Sequence, residues 1–200
     1  MKAIHRRHWT FCGAFGSTRA LGEQVYEALH AAFPKEPFLL KLSRIYRDAR
    51  RLHGNGPYKD HLWFCVRAGG EDWTGRPTFY FEIGPDYYSY GMGFWAPKAA
   101  LMEAYRKAVD EHPEVLEKLV KRFNKQAQFT LSGPEYARKK TAPSPLLAAW
   151  YNKKSINLQH DAAPDERMFS QELAQDIIEG FRTLMPLYKY FDALCAAEMV

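Results

Sequence analysis

Between His61 and Trp95, apolar and polar residues alternate in three successive runs, and no other feature limits the fold as tightly. In His61–Arg67, Leu62, Phe64 and Val66 share one face, with His61, Trp63, Cys65 and Arg67 on the other. In Thr78–Ile83, Phe79, Phe81 and Ile83 oppose Thr78, Tyr80 and Glu82. In Tyr87–Trp95, Tyr88, Tyr90, Met92 and Phe94 oppose Tyr87, Ser89, Gly91, Gly93 and Trp95. A period of two is that of a strand buried on one side. The links are short and rich in turn formers: Gly69-Gly70-Glu71-Asp72 with Gly75, then Gly84-Pro85-Asp86. Parallel neighbours need a crossover of about a dozen residues or more, so links this short join antiparallel strands into a meander. Gly91 and Gly93, on one face of their strand, admit either a groove for a ligand or close sheet packing, and close packing is favoured.

Helical patterns flank the meander. Ser17 or Thr18 caps a helix whose inner face is Leu21, Val25, Leu29 and Phe33, ended by Pro34. Residues 38–48 satisfy either period. The turn chemistry of Gly54-Asn55-Gly56-Pro57 favours a strand there, with Arg44, Tyr46 and Asp48 on one face. Pro97 opens a helix with Leu101, Tyr105 and Val109 inward, and Pro113 a second with Leu116, Leu119 and Phe123. Gln128–Leu131 and Ile156–His160 read as short strands, and Leu146–Asn152 as a helical turn or two. Residues 132–145, with Arg138-Lys139-Lys140 between glycine and prolines, read as a long exposed loop of the functional or mobile kind. Ser170 opens a helix with Leu173, Ile177, Phe181 and Leu184 inward. Pro186 is expected to break or kink it before a closing amphipathic segment of Leu187, Tyr190, Phe191 and Leu194. The fold class is therefore α+β. One domain over residues 1–200 holds an antiparallel sheet of four or more strands packed against helices near 17–33, 97–123 and 170–195, with residues 1–16 unassigned.

Charge is uneven along this frame. Residues 1–70 carry 12 Lys+Arg against 5 Asp+Glu, whereas 71–133 and 134–200 each carry 8 against 9. The net +5 is thus a property of the first third, and a localised basic surface attracts phosphates, nucleic acid or acidic partners. Cys12, Cys65 and Cys195 are odd in number, distant and without a Cys-x-x-Cys pair, which fits a reducing cytoplasm rather than a disulfide framework. No apolar run approaches the roughly 18 residues of a membrane span. Arg6-Arg7 ahead of Trp9–Gly16 faintly resembles an export signal, but Thr10 and the glycines interrupt its apolar stretch, so a cytoplasmic location is expected.

The basic excess peaks in Ser43–Lys59, where Arg44, Arg47, Arg50, Arg51 and Lys59 surround one acid, Asp48. A guanidinium is a planar fork of donors that matches phosphate or carboxylate and stays charged at any relevant pH. The candidate ligand-binding set is Arg44, Arg47, Arg50 and Lys59, with Asp48 and Tyr58 as orienters, for a small anionic ligand. The competing structural reading is an Arg–Asp bridge that pins the loop to the sheet. Tyr46, Tyr58 and Trp63 beside these cations keep a nucleic-acid track open as a less favoured alternative, and a scaffold without a ligand as a third. No cofactor or metal is indicated: His5 and His8 have no nearby carboxylate, and His61, His112 and His160 are scattered. His61 and Cys65 share a strand face, but four residues at about 3.3 Å put them roughly 13 Å apart, too far for a nucleophile and its base. Gly-x-Gly at 54–56 and 91–93 is too short for a dinucleotide fingerprint, and no Gly-x-Ser-x-Gly elbow occurs, so no catalytic residue is assigned.

Arg44-Ile-Tyr-Arg-Asp-Ala-Arg50 followed by Pro57-Tyr-Lys59 resembles the signature of the family termed domain of unknown function 2461, an Arg-x-x-Arg-Asp-x-Arg stretch and then Pro-Tyr-Lys. Gly91-Met-Gly-Phe-Trp-Ala-Pro97 is similar to that family's glycine-rich segment before its central helix, and Pro186-Leu-Tyr lies where its closing motif is expected. The resemblance spans roughly residues 38–195. It departs at Arg51, where the family carries an aromatic residue, and at Gly54-Asn55, where it carries a charged loop. The resemblance implies a conserved hypothetical protein with no assigned reaction, catalytic set or cofactor.

Overall fold

The computed structural model describes residues 2–47, 57–70 and 73–197. Six strands form one antiparallel sheet: β1 (Phe38–Leu42), β2 (Leu62–Ala68), β3 (Pro77–Ile83), β4 (Tyr88–Phe94), β5 (Thr130–Ser132) and β6 (Asn157–Ala162), in the order β1-β2-β3-β4-β6-β5. The first four are the meander, in the register set by their alternation: Phe64 opposes Phe81, which opposes Tyr90, which opposes His160. Five helices accompany the sheet: α1 (Lys2–Ala32), α2 (Ala99–Glu111), α3 (Pro113–Phe123), α4 (Ala148–Tyr151) and α5 (Gln171–Ala197). This is an α+β arrangement.

One face of the sheet meets the helices in a single core. Val25 and Leu29 of α1, Tyr105 and Val109 of α2, and Ile177, Phe181 and Leu184 of α5 join Phe64, Phe79, Phe81 and Met92 there. Aromatic rings make its spine: Phe79 stacks on Phe181 at 4.8 Å and on Tyr188 at 4.9 Å, and Phe64 on Phe81 at 5.3 Å. Gly22 lets α1 lie close on this face, because a Cβ there would stand 3.0 Å from the Phe64 ring. The opposite face carries Lys41, Trp63, Cys65, Arg67, Tyr80 and Glu82, the set that strand alternation assigns to it. Arg76, at the entry to β3, is tied to Asp192 of α5 through contacts of 3.0 and 2.5 Å.

Three expectations are corrected. The first helix begins at Lys2 rather than near Ser17 or Thr18. Residues 2–16 contain no proline, so nothing obliges the chain to leave the helix, and Gly13 and Gly16 lie inside it. Of the strand expected over residues 38–48, the part described, up to residue 47, is a strand only over Phe38–Leu42 and then an irregular segment with an isolated bridge at Tyr46; residue 48 lies outside the described residues. The last helix runs unbroken through Pro186. A proline forfeits one backbone hydrogen bond, and here Leu184, Met185, Leu187 and Tyr188 around it are all buried, so tertiary packing outweighs that loss. The 132–145 loop has no buried residue and is fastened at two points. Lys153 donates to the Gly133 carbonyl at 3.0 Å and meets Glu135 at 3.2 Å, while the Asn152 side chain holds both the N–H and the carbonyl of Lys140.

Gly91 and Gly93 serve close sheet packing. A Cβ at 91 would lie 1.9 Å from the Leu158 carbonyl oxygen, and one at 93 would lie 2.0 Å from the Asn157 side chain. Among the described residues, no helix is long and apolar enough to cross a membrane.

Candidate functional site

Beyond β1 the chain stays alongside the strand that follows it. Ser43 N–H donates to the Trp63 carbonyl at 2.8 Å, and Trp63 N–H returns a bond to Ser43 Oγ at 3.1 Å. Three residues on from Ser43, Tyr46 and Tyr58 form an isolated antiparallel bridge. Arg47 N–H donates to the Pro57 carbonyl at 2.8 Å, and Lys59 N–H to that of Ile45 at 2.9 Å. The two segments therefore face each other as a ragged continuation of the β1–β2 ladder. Residues far apart in sequence, Arg44 and Arg47 on one side and Lys59 on the other, come together on it.

Their electrostatics report that convergence. The Lys59 ammonium is held below the ordinary lysine range, first by burial, then by the Arg44 and Arg47 charges. Its Nζ lies 5.6 Å from the Trp63 ring centroid, which gives the cation one favourable neighbour. Among the described residues, no carboxylate pairs with Arg44 or Lys59. Arg47 is engaged differently: its Nε donates to the Tyr58 carbonyl at 2.6 Å, and an Nη meets Asp60 Oδ2 at 3.2 Å. Arg47 is therefore a clamp across the bridge. The Tyr46 and Tyr58 rings, 5.4 Å apart and tilted by 31°, close the turn on the outside, and Tyr46 is 58% exposed.

Of the six residues expected to form the site, Arg44, Arg47, Tyr58 and Lys59 are thus gathered, while Asp48 and Arg50 lie outside the described residues. Asp60, one residue past the motif, is the acid that Arg47 engages, and the sequence reading passed over it. Its carboxyl sits below the usual range because His61 hydrogen-bonds it at 2.8 Å and the Arg47 charge adds to that. The available signal was its place next to Lys59, directly opposite the arginines once the two segments pair.

Neither described cysteine has the surroundings of a nucleophile. Burial pushes the Cys65 thiol up to about 11 and that of Cys195 up to about 12, so both are protonated at neutral pH. In a Cys12→Ser variant, a colorimetric thiol reagent is expected to find no fast-reacting thiol in the native protein at mildly alkaline pH, and both after denaturation. Rapid native labelling of either would contradict the burial described. His61, whose Nδ1 is taken by Asp60, keeps to the other end of the strand. Among the described residues, no three His, Cys, Asp or Glu side chains come together as metal ligands.

No curated protein sequence matches the chain. A family described as conserved hypothetical protein (DUF2461) matches residues 14–190. The match takes in the motifs at 44–59 and 91–97 and the start of the closing one at 186, and it begins inside α1, well before residue 38. The chain belongs to this family of conserved hypothetical proteins.

Proposed function

We propose that the basic turn binds a small anionic ligand, one carrying a phosphate or carboxylate, through Arg44, Lys59 and the outward donors of Arg47, with Arg50 and Asp48 of the same motif completing the set. One observation carries this reading: the pairing at Tyr46 and Tyr58 brings Arg44 and Arg47 opposite Lys59, whose pKa is lowered first by burial and then by the two guanidinium charges. Like charges gathered at a half-exposed turn cost folding free energy, and an anion between them reverses the sign of that cost. Arg47 holds the turn, so Arg44 and Lys59 are the cleaner probes.

The test is a low-salt calorimetric titration with inorganic phosphate, nucleotides, sugar phosphates and dicarboxylates. Removing one charge-assisted bond costs about 1.5 kcal/mol, so Arg44→Ala and Lys59→Met are each expected to weaken binding about tenfold. Their melting temperatures should stay near wild type. Arg47→Ala is expected to lower both affinity and melting temperature. The pH dependence has a definite sign. The depressed Lys59 carries its unfavourable charge below its folded pKa and loses it as pH rises through that value, which lies below the ordinary 10.5. Anion binding favours the charged form, so affinity should fall as pH rises through the depressed value, and Lys59→Met should abolish that fall. Unchanged binding in both Arg44→Ala and Lys59→Met would refute the proposal.

The second reading, a nucleic-acid surface, draws on the exposed Tyr46 ring beside the cations, since bases stack on such rings. It predicts binding to short oligonucleotides that falls steeply with salt and is lost in Tyr46→Ala, without binding of the small anions.

A further inference from the structure

A second constellation lies on the other side of the sheet from the open rows of Trp63 and Tyr80, where β4 and β6 meet the beginning of α5. Tyr90, Gln128, His160, Arg167, Asp176 and Glu179 line an open cavity of about 300 Å³. Strand alternation brings His160 there: it follows Leu158 by two on the core-facing side of β6 and opposes Tyr90 in the register.

The hydrogen bonds fix what each group has left to offer. His160 Nδ1 lies 2.9 Å from the Gln128 carbonyl oxygen. A carbonyl only accepts, so Nδ1 carries the proton and Nε2 of the neutral ring is an acceptor, one that takes part in no hydrogen bond among the described residues. The Gln128 amide donates to Tyr90 Oη at 2.9 Å and to the Asp176 carbonyl at 3.1 Å, which spends both of its protons. Tyr90 Oη thus accepts and keeps its own proton to donate. The Tyr90 and His160 rings are 4.7 Å apart and tilted by 40°.

Each charge on the wall has a partner, with one carboxylate in excess. Arg167 meets Asp165 at 2.8 Å and Asp176 at 3.7 Å and donates to Tyr88 Oη at 3.4 Å, and Glu179 pairs with Arg182 at 2.6 Å. With every charge already paired, the cavity offers hydrogen bonds, and its single surplus negative charge turns away anions. Its donors are the Tyr90 hydroxyl and the remaining guanidinium N–H groups; its acceptors are His160 Nε2 and the remaining carboxylate lone pairs. A ligand hydroxyl donates and accepts through one oxygen, and this mixed wall suits several of them. A carboxylate or phosphate would face Asp176 and Glu179, and an ammonium would face Arg167.

We propose that this cavity binds a small uncharged polyhydroxy compound, of the size and chemistry of a monosaccharide or cyclitol. It is a site separate from the basic turn and independent of the reading given for that turn.

The experiment is a titration of the full ¹⁵N-labelled chain with myo-inositol and a panel of hexoses and pentoses up to tens of millimolar, following backbone amides at 90, 128, 160, 167 and 176. Methylammonium chloride and sodium phosphate are the charged controls. At least one polyol is expected to give saturable shifts at these amides. Tyr90→Phe, which keeps the ring, and His160→Gln should each raise its Kd about fivefold, the loss of one neutral hydrogen bond. Arg44→Ala should leave the response unchanged, which separates this site from the basic turn. Polyol shifts that stay linear across the whole panel, saturable shifts at these amides from methylammonium or phosphate alone, or a Kd unchanged in both cavity variants would each overturn the proposal.

Discussion

Replacing Phe79 with alanine is expected to lower the unfolding free energy by about 3–5 kcal/mol, the range for emptying a large aromatic site in a packed core. Phe79 is fully buried in the middle of β3. Its ring meets three others on two elements: Phe38 of β1 at 6.2 Å edge-on, and Phe181 and Tyr188 of α5 at 4.8 and 4.9 Å. Its removal both exposes apolar surface and strips two stacked partners from the helix that caps the sheet, and stacked pairs add about 0.5–1.5 kcal/mol beyond area. A domain of ordinary stability, about 5–15 kcal/mol, would lose a large share of it. Urea denaturation followed by tryptophan fluorescence measures the difference, with Trp95→Ala as control. Trp95 is 77% exposed, so its loss should fall within about 0.5 kcal/mol of wild type. A Phe79→Ala loss below about 1 kcal/mol would show that α5 does not seat on β3 through these rings.

The legibility of that core in the sequence has a physical basis. Phe79 and Phe81 announce their face because a strand places every second side chain on one side, and short glycine-rich links leave few ways to join three such strands. The same local logic located the inner faces of α2, α3 and α5. It failed where the outcome depends on energies that arise only after assembly. Pro186 reads as a break because proline costs a helix one hydrogen bond, yet the neighbours that hold the helix through it are buried by the sheet. Residues 2–16 are unassigned from sequence, because the helix of which they are the first half packs elsewhere, through Val25 and Leu29 on β1 and β2. At the basic turn the cations were legible as a cluster and Tyr58 as a neighbour. Asp60 was not, because its role depends on the segments pairing at Tyr46 and Tyr58. The polyhydroxy cavity was still less legible. Its residues come from β4, β6, the segment before β5 and α5, and its only local signal is a histidine on the inward side of β6.

Gly91→Ala is the second large effect expected, a loss of about 3 kcal/mol, at the upper end for overpacking a well-filled site. The added methyl would stand 1.9 Å from the Leu158 carbonyl oxygen and 2.9 Å from its carbon, both backbone atoms that no rotamer change can move aside. Either β4 or β6 must shift, and the ladder from Tyr88 to Gly93 is what pairs β6 with the meander. Gly70→Ala is the informative contrast. Gly70 has φ +123° and open space around its Cβ position, so alanine there suffers only the backbone strain of about 1–2 kcal/mol. Hydrogen exchange locates the damage: amides of 91–93 and 157–159 should lose protection in Gly91→Ala and keep it in Gly70→Ala. The shift also carries a functional consequence, because Tyr90 and His160 are register partners across this seam. If β6 moves, the His160 ring leaves the Tyr90 ring, and polyol binding should weaken in Gly91→Ala while anion binding at Arg44 and Lys59, on the far side of β2, persists. Loss of both together would mean that the variant has disturbed the whole sheet, and wild-type protection at 157–159 would mean that β6 is not held against β4 at Gly91.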